Sequence, residues 1–178
     1  MTNRTFSDKH KPMSAKDETT AEIGSEFAAQ DKVYMAKALE SAREASKVGE
    51  VPVGAVIVLD GVVIARDFNQ PIGTHDPSSH AEIRVLRAAG RFLKNYRLAD
   101  CDLYVTVEPC TMCYGAIVHA RIKRLVYGTP EPRFGAVERL VNIHNIEFNH
   151  RPEIIGGILE LESRELMQDF FRTRRRRK

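Results

Sequence analysis

Asp102–Val107 is an apolar, β-branched run, and two residues beyond it the chain reads Pro109-Cys-Thr-Met-Cys113. Cys110–Ala120 then carries helical spacing, and Arg124–Gly128 is again strand-like. A strand, a helix and a strand in that order make a parallel pair with a right-handed crossover. Both cysteines then fall where a strand ends and a helix begins. That is the usual place for ligands in an open α/β sheet.

The rest of the chain supplies neighbours for this unit. Asp31–Val48 repeats Val33, Met35, Ala36, Leu39, Ala42 and Ala45 at helical spacing and stops at Gly49. Val53–Leu59 and Val62–Arg66 flank Asp60-Gly61, a strong hairpin signal. Turn formers fill Asp67–Pro77. A second helix over Ser79–Leu93 follows, with Ile83, Leu86, Gly90 and Leu93 on its buried stripe. Arg84, Arg87, Arg91 and Lys94 form a basic stripe beside it, either a solvated face or a surface that follows phosphates. Thr129–Asn149 reads as irregular, with a short helix near Ala136–Val141. Glu153–Gly157 reads as an edge strand and Glu160–Arg174 as a final helix with Leu166, Met167, Phe170 and Phe171 on its apolar face. Residues 1–29 are polar and aperiodic and read as a disordered extension.

At 178 residues, 43% hydrophobic and 29% charged, the chain suits one globular domain with short appendages. No apolar run approaches the roughly 20 residues that span a bilayer. The N-terminus lacks the apolar core of a signal peptide and carries scattered acids, so a cytoplasmic protein without membrane contact is expected. Cys101, alone beside a strand, reads as a small buried hydrophobe. The formal charge of +3 is uneven: residues 172–178 hold six of the 27 basic side chains and no acid, so the body has a slight acidic excess. Such a tail is either a handle for phosphates or a solvated helix end.

Chemistry concentrates in His80-Ala-Glu82 and Cys110-x-x-Cys113. One imidazole and two thiolates make a three-ligand zinc site with its fourth corner open, which suits catalysis better than structure. Each half alone has a plainer reading. Ser79-His-Ala-Glu82 matches a helix capping box, and Cys-x-x-Cys matches a thiol redox pair. H-x-E followed by P-C-x-x-C is, however, the signature of zinc deaminases. In that reading Glu82 lies near the ion without binding it and moves protons between water, ring nitrogen and departing ammonia. His75, the neighbouring histidine, has no carboxylate at the same spacing.

The chain resembles bacterial tRNA-specific adenosine deaminases, a branch of the cytidine-deaminase-like superfamily. The likeness rests on Glu50-Val-Pro-Val-Gly-Ala55, Asn69-Gln-Pro-Ile-Gly73, His80-Ala-Glu-Ile83, Asn95-Tyr-Arg-Leu98, Leu103–Cys110, His119-Ala-Arg-Ile122, Asn149-His150 and Phe170-Phe-Arg172. It implies an α/β fold, a three-layer α-β-α sandwich with a five-stranded mixed sheet, with the zinc-dependent deaminase domain over residues 30–171 and a basic tail over 172–178 continuing the last helix. It also implies one Zn2+ per chain on His80, Cys110 and Cys113, with Glu82 catalytic. Asn69 would hydrogen-bond the flipped nucleoside, and Ala81, Pro109 and Val51 would line the base pocket. Asn149, Phe171 and Arg172 would touch a tRNA anticodon stem-loop. The implied reaction is adenosine to inosine at the wobble position, in a homodimer. The sequence departs from the family at Thr129–Gly135, with two prolines, and at Glu138-Arg139, where relatives carry small residues. A deaminase of a free nucleobase or nucleoside, such as guanine or cytidine, shares the zinc signature but has no use for the basic tail.

Overall fold

The structure, a computed structural model, describes residues 15–137 and 148–176. Its elements run α1 (Ala15–Lys47), β1 (Gly54–Leu59), β2 (Val62–Phe68), α2 (Pro71–Thr74), α3 (Ala81–Leu93), β3 (Asp102–Val107), α4 (Thr111–His119), β4 (Arg124–Thr129), β5 (Glu153–Ile155) and α5 (Glu160–Arg176). The strands form one mixed sheet in the order β2-β1-β3-β4-β5. β1 is antiparallel to β2 and β3, whereas β3–β4 and β4–β5 are parallel. The expected strand–helix–strand unit is therefore present, with Asp102 opposite Arg124 and Val107 opposite Thr129.

The alternation of side chains along a strand divides the core in two. Ala55, Ile57, Leu103, Val105, Leu125 and Tyr127 pack with Val85 and Ala89 of α3 and Tyr114 and Ile117 of α4. Their neighbours Val56, Val58, Tyr104 and Val126 pack with Tyr34, Met35 and Ala38 of α1. Helices thus cover both faces, and the central strands are apolar throughout because neither face meets water. Gly54 lets β1 lie against α1: a Cβ there would stand 2.1 Å from the Ala38 carbonyl oxygen. The Asp60-Gly61 turn has φ values of 49° and 78°, as a type I′ hairpin needs.

The chain divides into Met1–Gln30 and Asp31–Lys178. In the first unit it is helical from Ala15, where composition alone reads as disordered through residue 29; residues 1–14 lie outside the described residues. Adding turns to a helix already nucleated costs far less than starting one, and this stretch is rich in Ala and Glu. In the second unit the buried stripe of α1 is Tyr34, Met35, Ala38, Leu39, Ala42 and Ala45. Val33 and Ala36, placed on the stripe by sequence, face solvent. Residues 172–176 of the basic tail continue α5 without a break. The short helix expected near Ala136–Val141 lies, beyond Val137, outside the described residues.

Candidate active site

α3 and α4 both begin with a ligand-type residue in the capping position. His80 is the N-cap of α3 (φ −75°, ψ 153°) and Cys110 that of α4 (φ −73°, ψ 171°), and neither side chain caps its own helix. Both side chains are free to point outward while their backbones hand over to the helix. The capping-box reading fails here. Ser79 Oγ donates to Asp76 Oδ2 (3.1 Å), and the Ala81 N–H instead donates to Asn69 Oδ1 (2.8 Å). Asn69, twelve residues upstream and buried, thus fixes the start of the helix that carries His80 and Glu82.

His80, Cys110 and Cys113 come together with all three donor atoms within 4.8 Å of one another. His80 Nδ1 lies 3.7 Å from Cys110 Sγ and 3.6 Å from Cys113 Sγ. A tetrahedral zinc with ordinary Zn–N and Zn–S bonds gives an N···S edge of about 3.6 Å, so the three atoms already stand at the spacing of a shared ion. The cysteines are free thiols, which removes the reading of a formed disulfide. Charge points the same way. Sharing one proton, the Cys110 thiol is drawn down to about 4, first by its hydrogen bond with Cys113 and then by that with His80. The same contact, with burial, pushes Cys113 up. Two sulfurs that compete for a single proton are a site for a cation.

Glu82 is 3% exposed, and its Oε2 has no hydrogen-bond partner. Burial raises its pKa, with Cys110 adding to the rise and His80 opposing it. A buried carboxylate oxygen with nothing to accept from is costly unless a ligand completes it. The donor set and this orphan oxygen together fit a resident metal with water beside it.

The other expected residues fall in two groups. Pro109 is buried, and its carbonyl accepts the Ala136 N–H (2.9 Å). Val51 is half-buried against the core below α3, and Ala81 is fully buried. Asn149, by contrast, is exposed, beside a 270 Å³ hollow lined by Gly115, Val118, His119 and Phe148. Phe171 and Arg172 lie on the exposed last turns of α5, where Arg172 pairs with Asp169 at 2.5 Å. Of the basic stripe on α3, Arg84 is bound to Asp67 (2.9 Å) and Arg87 stands 3.7 Å from Asp76. Arg87, Arg91 and Lys94 rim a groove of about 770 Å³ floored by Ile83, Leu86, Ala116 and Ala120.

Sequence reasoning assigned nothing to Glu50 or Glu108, although both stand inside the quoted motifs. Each is buried, and each carboxylate accepts a backbone N–H: Glu50 Oε1 from Gly73 of α2 (2.7 Å) and Glu108 Oε2 from Glu131 (2.9 Å). Their signal in the sequence was an acid standing next to a proline or glycine inside an otherwise apolar motif, Gly49-Glu50 and Glu108-Pro109.

The sheet order, two helix N-termini meeting at an N/S/S group, and a buried glutamate with one unpartnered oxygen define a deaminase of the cytidine-deaminase-like class. The MafB19-like deaminase family profile matches residues 29–175. A tRNA-specific adenosine deaminase of Agrobacterium fabrum is 48% identical over 143 residues, covering 80% of this chain and 94% of that one. A solved structure from a study of A-to-I editing by tRNA:A34 deaminases superposes with a TM-score of 0.72 at 48% identity, over 75% of this chain and 97% of that chain. A guanine deaminase from Bacillus subtilis matches less well, with a TM-score of 0.55 at 34% identity over 67% and 83% of the two chains. The chain belongs to the tRNA-specific adenosine deaminase family.

Proposed function

We propose that this protein hydrolyses the wobble adenosine of a tRNA anticodon loop to inosine, with one zinc ion held by His80, Cys110 and Cys113. The carrying observation is the buried, unpartnered Oε2 of Glu82, two residues along the helix from a ligand whose Nδ1 faces two sulfurs. Zinc, when bound, supplies Lewis acidity and lowers the pKa of water to about 7. Glu82 takes a proton from the attacking water and places it on the ring nitrogen; it then takes the proton of the newly added hydroxyl and passes it to the amine, so that the carbonyl forms as ammonia leaves. Asn69 has its oxygen engaged by Ala81, so its amide NH2 is the end that holds the substrate. Pro109 and Val51 wall the base. A base reaches such a site only when splayed from a single-stranded loop. Asn149, Phe171, Arg172 and the basic end of α5 then meet the flanking RNA.

We also propose a homodimer that works in the cytoplasm. The groove with the Ile83, Leu86, Ala116 and Ala120 floor supports the first point, since Tyr96, which lines it, stands 70% exposed. Among the described residues, no helix is long and apolar enough to cross a membrane.

Mass detection of the amine-to-carbonyl change tests the reaction. Zinc-loaded protein is incubated with an anticodon stem-loop bearing wobble adenosine, with free adenosine, cytidine and guanine in parallel. Conversion of the stem-loop alone is expected, and conversion of guanine alone favours the reading that the B. subtilis match supports. Glu82→Ala should keep its zinc and lose at least roughly a hundredfold in rate; retained activity would remove the proton shuttle. Deleting residues 174–178 should weaken stem-loop binding and flatten its salt dependence, leaving the rate at saturating stem-loop unchanged.

A further inference from the structure

Glu108 stands between the last residue of β3 and Pro109-Cys110, and the chemistry above makes no use of it. It is 3% exposed. Its Oε2 accepts the Glu131 N–H at 2.9 Å, and its own N–H donates to the Thr129 carbonyl at 2.9 Å. The turn that receives it is closed on itself and on the metal elbow. Gly135 N–H donates to Glu131 O (2.8 Å), Ala136 N–H donates to Pro109 O (2.9 Å), and Gly135 bridges Cys110 in antiparallel fashion. A Cβ on Gly135 would stand 2.3 Å from Glu108 Cδ and Oε2 and 2.5 Å from Oε1. The φ of Gly135 is not positive, so close approach, not backbone freedom, requires glycine here. The carboxylate occupies the place a side chain at 135 would take.

The two sulfur ligands differ in how they are held. Cys113 is fully buried in α4, whereas Cys110 is the half-buried cap whose position depends on the backbone before it. We propose that Glu108 is a positioning residue for the metal elbow: it locks the Glu131–Gly135 turn against Pro109-Cys110 and so keeps the Cys110 sulfur in register with His80 and Cys113. Glycine at 135 is then a requirement set by this carboxylate. The inference rests on the metal reading of the N/S/S group.

The test uses the full chain loaded with zinc and measures zinc release to a chromogenic chelator, with the ligand-field spectrum of the cobalt-substituted protein as a second readout. Glu108→Ala and Gly135→Ala should each release zinc roughly tenfold faster than wild type and shift the cobalt bands. Glu108→Gln keeps an oxygen for the Glu131 N–H and should behave as wild type. The Gly135→Ala/Glu108→Ala double variant should be no worse than Glu108→Ala alone, because the added methyl then meets no carboxylate. Release from Glu108→Ala at the wild-type rate with an unchanged cobalt spectrum, or defects that add in the double variant, overturns the inference while leaving the metal reading intact. A wild-type chain that holds no zinc overturns both.

Discussion

At the N-terminal end of the parallel strands β3 and β4, Arg124 lies between two carboxylates. Its NH2 group donates to Asp31 (2.9 Å) and its NH1 group to Asp102 (2.9 Å), while the Tyr104 hydroxyl donates to Asp31 Oδ1 (2.7 Å). At the C-terminal end of the same strands, Cys110, Cys113 and Glu82 face a single imidazole, and among the described residues no lysine or arginine joins them. Both clusters are buried and ionisable. One leaves a single oxygen, Asp102 Oδ1, without a partner, and both of its aspartates bond the same guanidinium. The other gathers acidic groups with no guanidinium among them, so they must hold protons or share a cation. Closed charge fastens α1 to the sheet, and open charge makes a site. In parallel α/β sheets that division follows the direction of the strands.

Removing the metal gives the largest effect and the sharpest test of this contrast. Dialysis against a chelator should abolish deamination and zinc should restore it, while the far-UV circular dichroism stays native, because neither core cluster runs through the ligand atoms. Zinc at about a thousand times its Kd adds about 4 kcal/mol by linkage, read as a higher melting temperature. A metal-free chain that unfolds outright would break the comparison, because the ion would then belong to the fold.

The opposite end should answer the other way. Arg124→Ala leaves Asp31 and Asp102 facing each other without a counter-charge, with Asp31 almost wholly buried. Loss of one partner from such a cluster costs about 3–5 kcal/mol, measurable by urea denaturation. Zinc content and kcat below the melting temperature should not change. A stability loss under about 1 kcal/mol would mean that the network relaxes or takes in water. Neutralising the whole cluster at once, with Asp31→Asn, Asp102→Asn and Arg124→Met combined, should recover most of the loss.

How much of this was legible in the sequence follows from what kind of information each feature needs. β3 could be read to the residue, because an apolar run between Asp102 and Glu108 has one natural frame. The grouping of His80, Cys110 and Cys113 could be read too, because each falls at a helix start that fixes where it stands. The stripe of α1 could not. Val33 looked apolar, but Tyr34 with Met35, Ala38 and Leu39 is the set that turns inward, and only the sheet residues Val56 and Tyr104 decide between them. Asp31–Arg124 joins residues 93 apart, so no local pattern announces it. The same holds for Asn69, whose bond to Ala81 replaces the cap that Ser79 offered on paper. Glu108 and Gly135 were invisible as a pair because their meeting depends on how the turn over Glu131–Gly135 folds back onto Pro109 and Cys110.

The last and smallest expected effect concerns one residue type at both ends of β3. Cys101 precedes the strand and Cys110 follows it. The Cys101 thiol is 1% exposed and pushed up to about 11 by burial, with Asp100, Asp102 and Asp60 adding to the rise. At pH 8 about one molecule in a thousand would carry the thiolate there, and the sulfur has no path to solvent. Mass spectrometry after iodoacetamide treatment at pH 8 should therefore find Cys101 unmodified in the folded protein and modified in urea. The sign for stability follows. A raised thiol pKa costs nothing below the unfolded value near 9 and destabilises the fold as pH climbs from there toward 11. Labelling of Cys101 in the native state would show that the Asp102 end opens to water, and the distinction between a closed and an open end of the sheet would then fail.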